Sequence, residues 1–307
     1  MLRTSGVGSD SPPALWLQVF RTAKYCFDKF KNRPPVMTSD GLNYRQLDAA
    51  HCRLGNLPIA EMRAHQATLI RNAKPFSDEE FHSFCFQFGH PLPYGDGPEF
   101  VLSGDTFNED DLHYDGISSS RSDIIPSYLV FYVEKALPES VGGQFTLVDC
   151  VGALAQMPNE LLDFLKSHRL EFYGYPLYNR PLVAADELSF DISCISSYRN
   201  EERLRLHVPF LPESAELSAD KSKVYSKAHK FWLAFSGCDG LETQQRFDQI
   251  REILRSPTLM WTIQFQDGDI LVVDNETVFH GRYPLAEPSR RTLRRIQLLA
   301  SPYKACS

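Results

Sequence analysis

The 307-residue chain has no long hydrophobic run and no paired cysteine motif. No apolar stretch reaches the roughly 18 residues that a membrane-spanning helix needs, and residues 1–13 lack the charged and apolar regions of a signal peptide. Its seven cysteines are odd in number and none forms a C-x-x-C pair, which argues against a zinc ribbon or a compact disulfide framework. Because free thiols are typical of a reducing compartment, we expect a cytoplasmic protein without a membrane segment.

The sequence also lacks an excess of basic residues. Lys and Arg together number 32 against 39 Asp and Glu, which gives a formal net charge of −7. A dedicated nucleic-acid-binding domain usually carries a strongly basic surface, so we expect no nucleic-acid partner. The hydrophobic share of 43% and the charged share of 23% are ordinary for a globular protein with a substantial core.

Hydrophobic periodicity divides the chain into a helical N-terminal extension over residues 1–56 and one domain over 57–307. In the extension, apolar residues at helical spacing predict helices over Ala14–Phe30 and 44–54. The domain combines strands with surrounding helices, so we predict an α+β fold.

The predicted elements of the domain follow period-two and period-3.6 patterns. Strands are predicted at 67–71, 127–134, 144–149, 204–209, 260–266, 269–274 and 292–299. Helices are predicted at 59–65, 158–169, 221–236 and 240–255, and one more begins after Ser77, where Glu80 completes a capping box.

Two histidines and one carboxylate stand out as candidate metal ligands. In His113-Tyr-Asp115, residues two apart at a strand end point the same way, so imidazole and carboxylate can bind one ion. Alone, this pair equally fits a surface histidine beside an unrelated aspartate. His280 lies 167 residues later, after an apolar strand and a polar turn, and alone it fits an ordinary core or loop histidine. Together the three form the pattern of a facial triad, which leaves three coordination positions open.

The last predicted strand carries arginines on both faces. Arg291 and Arg295 share one face, and two arginines directed into a β core are costly unless anions meet them. A keto acid chelated by a metal has such an anion, because its distal carboxylate can form a bidentate pair with arginine. The alternative is a solvated basic edge strand, which we accept for Arg290 and Arg294 on the opposite face.

These motifs together resemble the taurine dioxygenase (TauD/TfdA-like) family over roughly residues 57–303. The shared pattern is H-x-D, a G-G-x-x-T strand, a G-D-x-x-x-x-D-N strand, H-G-R and R-R-x-x-x-R. The resemblance implies a double-stranded β-helix (jelly-roll) core and an Fe(II)- and 2-oxoglutarate-dependent enzyme that consumes O2 and releases succinate and CO2. It also implies residue roles: iron ligation by His113, Asp115 and His280, and binding of 2-oxoglutarate by Arg291 and Thr146. Arg295 matches an arginine that reaches substrate in some relatives; the alternative is structural support of the site.

The H-x-D-G form of the motif is similar to dioxygenases that act on tyrosine-derived isocyanides. This implies hydroxylation or desaturation of a small amino-acid-derived metabolite in secondary metabolism. Tyr114 and Ile117 then either line the substrate pocket or merely pack. Asp115 favours these reactions over halogenation, because related halogenases replace that carboxylate.

Two alternative functions stay open at this point. The first is a hydroxylase of a free amino acid or a sulfonate-like acid, with Arg295 as the anion anchor. The second is a non-catalytic β-helix protein that binds a ligand. In each case the expected partner is a small molecule, and the sequence leaves the oligomeric state open.

Overall fold

The computed structural model describes residues 42–302 except 51, 74–75, 94–96, 105–109, 118–124, 175–188, 199 and 287–289. The helix predicted at Ala14–Phe30 lies outside the described residues. None of the helices in the described part is long and apolar enough to cross a membrane.

The described chain contains eighteen strands and five α-helices, with three short 3-10 turns between them. The strands are β1 Tyr44–Asp48, β2 Ala67–Arg71, β3 His90–Pro91, β4 Glu99–Gly104, β5 Asp110–His113, β6 Tyr128–Lys135, β7 Phe145–Asp149, β8 Arg169–Tyr173, β9 Ser189–Ser193, β10 Ile195–Tyr198, β11 Glu201–Leu204, β12 Ala215–Leu217, β13 Val224–Ser226, β14 Phe231–Phe235, β15 Met260–Ile263, β16 Ile270–Asp274, β17 Val278–Arg282 and β18 Arg291–Leu299. The helices are α1 Ile59–Met62, α2 Asp78–Cys85, α3 Cys150–Gln156, α4 Asn159–Ser167 and α5 Gly240–Leu254. The 3-10 turns are Leu54–Asn56, Glu139–Val141 and Pro212–Ser214.

Two sheets face each other across a shared core. A seven-stranded sheet has the order β1-β2-β16-β6-β18-β3, with β4 also paired to β18, and a four-stranded sheet has the order β15-β7-β17-β5. Leu271 and Val273 of the first sheet pack with Leu147 and Val278 of the second in one buried cluster. Since side chains alternate along a strand, every second residue of both sheets points into this central layer.

The outer face of each sheet is covered. Helix α2 packs on the seven-stranded sheet, where its Phe81 and Phe84 meet Ile270 and Val272. Helices α3, α4 and α5 and a five-stranded sheet, β12-β13-β14-β8-β9, cover the four-stranded sheet in another large buried cluster. The architecture is therefore a β-sandwich core with helices outside it, as expected for the α+β class.

Residues 44–54 were expected to be helical, and this prediction is wrong. Tyr44–Asp48 form β1, which pairs in parallel with β2 at the end of the seven-stranded sheet. The Tyr44 ring stacks on Trp261 with centroids 3.8 Å apart, and Leu47 is buried. Long-range pairing and packing override the local helical spacing here, so part of the predicted extension belongs to the sheet.

The helix expected at 221–236 is also absent, because β13 and β14 form an antiparallel hairpin there. Phe231, Leu233 and Phe235 are buried at period two, which is a strand pattern. The strand expected at 204–209 ends at Leu204, and beyond it Val208 makes only an isolated bridge to Leu112.

Several other predictions are confirmed. The Ser77 hydroxyl accepts a hydrogen bond from the Glu80 backbone amide at 3.2 Å, and the Glu80 carboxylate accepts one from the Ser77 amide at 3.0 Å. Strands β2, β6, β7, β16 and β18 and helices α4 and α5 lie where periodicity placed them, with ends shifted by at most two residues.

Strand β18 is not the solvated edge strand that was accepted for Arg294. It pairs with β6 on one side and with β4 and β3 on the other. Arg294 is mostly buried and forms ion pairs with Glu99 and Asp78. Arg290, just before the strand, is exposed.

Candidate metal centre

Adjacent strands of the four-stranded sheet bring the two predicted histidine ligands together. His113 at the end of β5 pairs directly with His280 of β17, and their ring centroids are 4.5 Å apart. Asp115 lies in the turn after β5, with its Oδ1 atom 3.7 Å from the Nε2 atom of each histidine. All three side chains are buried, and their ligand atoms are close enough to bind one metal ion.

A β-bulge in β5 sets this geometry. Between paired positions, β5 runs from Asp110 to His113 while β17 advances only from His280 to Arg282. The extra residue turns both Asp110 and His113 toward one space, although they are an odd number of residues apart. Gly281 permits the bulge, because a Cβ atom there would lie 2.8 Å from the Asp110 carbonyl oxygen.

The His113 ring is oriented through the backbone of Asp111. Its Nδ1 atom donates to the Asp111 carbonyl oxygen at 2.7 Å, and this hydrogen bond directs Nε2 toward Asp115. The Asp111 carboxylate is itself fully buried. It accepts hydrogen bonds from His207 Nε2 at 2.9 Å, from the Phe210 amide at 3.2 Å and from the Ser226 hydroxyl. Two other segments of the chain, the loop with His207 and Phe210 and strand β13 with Ser226, thus fix β5 beside the centre.

Asp115 is fixed at both its backbone and its side chain. The Asn275 side chain accepts from the Asp115 amide at 2.9 Å and donates to its carbonyl oxygen at 3.0 Å. Oδ2 of the carboxylate accepts from Arg295 at 2.8 Å and from Gln297. The other oxygen, Oδ1, is therefore the one that faces the two histidines and can bind an ion through a single atom.

Charge at the centre favours a cation. Burial opposes ionisation of Asp115, but Arg295 and the two histidines hold the pKa of this carboxyl well below its usual range. For His113, burial favours the neutral ring, but the nearby carboxylates of Asp115 and Asp110 have the larger effect. The pKa of His113 is therefore raised above its usual value. Burial and neighbouring His113 lower the pKa of His280, which keeps this ring neutral. Two imidazoles and one carboxylate with open positions are the donor set of non-haem Fe(II) sites.

Arg291 lies on the same interior face of β18 as Arg295, four residues earlier. It makes no hydrogen bond or ion pair with any residue that the structure describes, and it borders a small cavity with Gly143 and Phe265. Burial and neighbouring Arg282 lower the pKa of Arg291 to about 10. Two guanidinium groups close together provide a strong site for a carboxylate.

Thr146 does not lie on the side of the metal centre. It pairs with Gly281 and points to the opposite face of the sheet from His280, and its hydroxyl has no hydrogen-bond partner among the described residues. Phe145 takes the inner position instead, where its ring stacks on His280 with centroids 5.8 Å apart. The register of β7 accounts for this, because Phe145 and Leu147 lie opposite Arg282 and His280 and therefore take the inward positions on either side of Thr146.

Tyr114 and Ile117 pack in the hydrophobic cluster behind the four-stranded sheet rather than at the centre. The Tyr114 ring lies parallel to Phe279 with centroids 6.3 Å apart, and its hydroxyl accepts a hydrogen bond from Arg205. Both residues therefore take the packing role that was their alternative.

Motif spacing alone missed three residues of the site. Asn275 lies in the D-N pair after β16, and Gln297 lies on the same face of β18 as Arg295, so both carried a weak signal. The role of Gly281 depends on the bulge in β5, for which the sequence gives no clear signal.

Comparisons with known proteins identify a matching family and several relatives. Residues 29–297 match the family described as "Taurine catabolism dioxygenase TauD, TfdA family". Tyrosine isonitrile desaturase from Erwinia amylovora is 25% identical over 266 residues, which cover 81% of this chain and 84% of that protein. The 3-((Z)-2-isocyanoethenyl)-1H-indole synthase of Fischerella ambigua is 22% identical over 251 residues, or 76% of this chain and 82% of that protein.

A solved structure shares the fold. PvcB from Pseudomonas aeruginosa superposes with a TM-score of 0.63 and 18% identity, covering 87% of this chain and 95% of that one. A second structure of PvcB, described as an Fe, alpha-ketoglutarate dependent oxygenase from an isonitrile synthetic pathway, has a TM-score of 0.62, with 18% identity over 86% of this chain and 90% of that one. Since the family match covers most of its length, the chain belongs to the TauD/TfdA family of Fe(II)- and 2-oxoglutarate-dependent dioxygenases.

Proposed function

We propose that His113, Asp115 and His280 bind the catalytic Fe(II), and that the two facing sheets are the double-stranded β-helix of the family. The single observation that carries the metal assignment is the position of Asp115 Oδ1, at 3.7 Å from both Nε2 atoms. When bound, iron and 2-oxoglutarate supply oxidative decarboxylation of the keto acid by O2, to succinate and CO2, coupled to oxidation of a substrate C–H bond.

The side chains around the metal position the reactants and exclude water. Arg291, on the interior face near Arg282, binds the distal carboxylate of 2-oxoglutarate through two parallel hydrogen bonds. The rings of Phe131 and Phe145 pack against His280, with centroids 5.9 and 5.8 Å away, and keep this side of the centre dry. Thr146 has no part in this proposal, because it points away from His280.

The substrate we propose is a small amino-acid-derived isocyanide, which the enzyme hydroxylates or desaturates in secondary metabolism. The support is that relatives over about four-fifths of the chain are named for tyrosine isonitrile and for an isocyanoethenyl indole. The alternative substrate, a free amino acid or a sulfonate-like acid, would use Arg295 as its anchor. The ion pair between Arg295 and Asp115 disfavours that role, and we assign Arg295 to fixing Asp115 and forming part of the substrate wall.

Substrate-coupled succinate release tests this proposal. The enzyme is loaded with Fe(II) and 2-oxoglutarate, and O2-dependent succinate is measured with the tyrosine-derived isocyanide, with free tyrosine and with taurine. We expect succinate in proportion to the isocyanide and only the uncoupled background with the other two. Equal or greater stimulation by free tyrosine or taurine would contradict the proposed substrate class.

A further inference from the structure

One exposed aromatic side chain lies beside the metal centre. Phe100 of β4 pairs directly with Arg295 of β18, so both side chains point to the same face of the sheet. Two residues further along β4, Leu102 packs against the core between the two sheets. Phe100 therefore extends the interior row of β4 outward from that core, next to the metal centre.

The Phe100 ring is connected to the centre through a single side chain. The Arg295 guanidinium carbon lies 5.3 Å from the ring centroid, at cation–π distance. The same guanidinium lies 2.8 Å from Asp115 Oδ2. Because Arg295 is tied to Asp115, the ring is fixed one side chain away from the proposed iron.

The exposure of Phe100 separates it from the other aromatic rings near the centre. Phe131 and Phe145 are almost fully buried against His280, whereas Phe100 is 40% exposed. Exposed apolar surface beside a polar site is typical of a ligand-binding position. A ring that stacks on Phe100 would bury this surface, and aromatic pairs gain from offset or edge contacts at 4.5–7 Å.

We propose that Phe100, supported by Arg295, forms the wall on which the aromatic ring of the substrate packs, so that the enzyme selects aromatic over aliphatic amino-acid derivatives. This inference rests on the proposed function. It is carried by the contact of Phe100 with the Arg295 guanidinium and by the ion pair of that guanidinium with Asp115.

Kinetics with two probes test the inference. KM and kcat for succinate release are measured with the tyrosine-derived isocyanide and with its leucine-derived counterpart. The variants are Phe100→Ala, Phe100→Leu, Phe100→Tyr and the control Phe86→Ala. Phe86 suits the control because it is 42% exposed, much like Phe100, but follows α2 on the outer side of the seven-stranded sheet.

We expect Phe100→Ala to raise KM for the aromatic probe about tenfold, the effect of losing one aromatic contact, with a much smaller change for the aliphatic probe. Phe100→Leu keeps the apolar bulk and gives the same loss of preference, which covers the case of an alanine variant that does not fold. Phe100→Tyr retains the preference, and Phe86→Ala behaves like the wild type.

An unchanged ratio of the two KM values in both Phe100→Ala and Phe100→Leu overturns the inference while the proposed function stands. The same holds for a wild type that turns over both probes with equal KM. A wild type that releases no succinate with either probe overturns the proposed function, and the inference falls with it.

Discussion

The two faces of β18 carry arginines in opposite situations. On the outer face, Arg294 is paired with Glu99 and Asp78, and its guanidinium carbon lies 5.2 Å from the centroid of the Phe81 ring. On the inner face, Arg291 has no such partner in the described part of the chain. Burial and the neighbouring Arg282 lower the pKa of Arg291, which shows that its surroundings disfavour the positive charge. A buried charge is tolerated only when it is paired. The charge of Arg294 is therefore neutralised by carboxylates of the protein itself, whereas the charge of Arg291 requires a bound anion.

The same contrast extends to the carboxylates. Asp111 accepts three hydrogen bonds from its own protein, through both of its oxygens. Asp115 has two donors on Oδ2, while Oδ1 faces the Nε2 atoms of His113 and His280. Between the two sheets, Asp115 Oδ1 and the two histidines are therefore available to bind a metal, and Arg291 is available to bind an anion.

Among the variants that test this comparison, loss of a proposed metal ligand should reduce activity the most. We expect His113→Ala to lower succinate formation by more than about 100-fold, since loss of even an outer partner of a metal ligand costs about 10- to 100-fold. His90→Ala, at an exposed histidine of β3, serves as the matched control and keeps full activity. Activity in His113→Ala within a fewfold of the control would contradict the ligand assignment.

The inner arginine gives the next largest effect. Arg291→Met should raise KM for 2-oxoglutarate about 10- to 100-fold, because two charge-assisted hydrogen bonds to the cosubstrate are lost. The free energy of unfolding without cosubstrate should not fall, since the change removes a half-buried charge that lacks a described partner. An unchanged KM, or a large loss of stability, would place Arg291 among the structural arginines.

The outer arginine should respond in the opposite way. Arg294→Met should lower the free energy of unfolding by about 2 kcal/mol, because it leaves Glu99 mostly buried without its guanidinium partner. KM for 2-oxoglutarate should stay at the wild-type value. Urea denaturation and steady-state kinetics on the same preparation measure both quantities, and a raised KM at wild-type stability would remove the distinction between the two faces.

Thr146 gives the smallest expected effect. Thr146→Val replaces a buried hydroxyl that has no described partner with a methyl group. We expect the free energy of unfolding to rise by about 1 kcal/mol and KM for 2-oxoglutarate to stay unchanged. If the valine variant instead binds 2-oxoglutarate clearly more weakly, the hydroxyl reaches the cosubstrate and the inner face of β7 has been misassigned.

The proximity of the three candidate ligands could be predicted from the sequence better than the local structure around them. His113, Asp115 and His280 stand in short motifs whose residue types are tied directly to metal chemistry, and the structure brings them together. The faces of β18 also followed from simple alternation, which separates Arg291 and Arg295 from Arg294.

Features that depend on distant strands could not be predicted in this way. The helical spacing in residues 44–54 is real, but pairing with β2 makes a strand of Tyr44–Asp48. The face of Thr146 depends on the register of β7 against β17, and the role of Gly281 depends on a bulge in the neighbouring strand. Each is decided by contacts between segments far apart in sequence, which local patterns do not contain.

The most direct test of the account is an anaerobic titration of the purified protein with Fe(II) in the presence of 2-oxoglutarate, followed by visible absorption. The account predicts a weak charge-transfer band that saturates at one Fe(II) per chain and is lost in His113→Ala. A wild type without the band, or a His113→Ala variant that develops it with the same affinity, would contradict the proposal that these two histidines and Asp115 bind the iron.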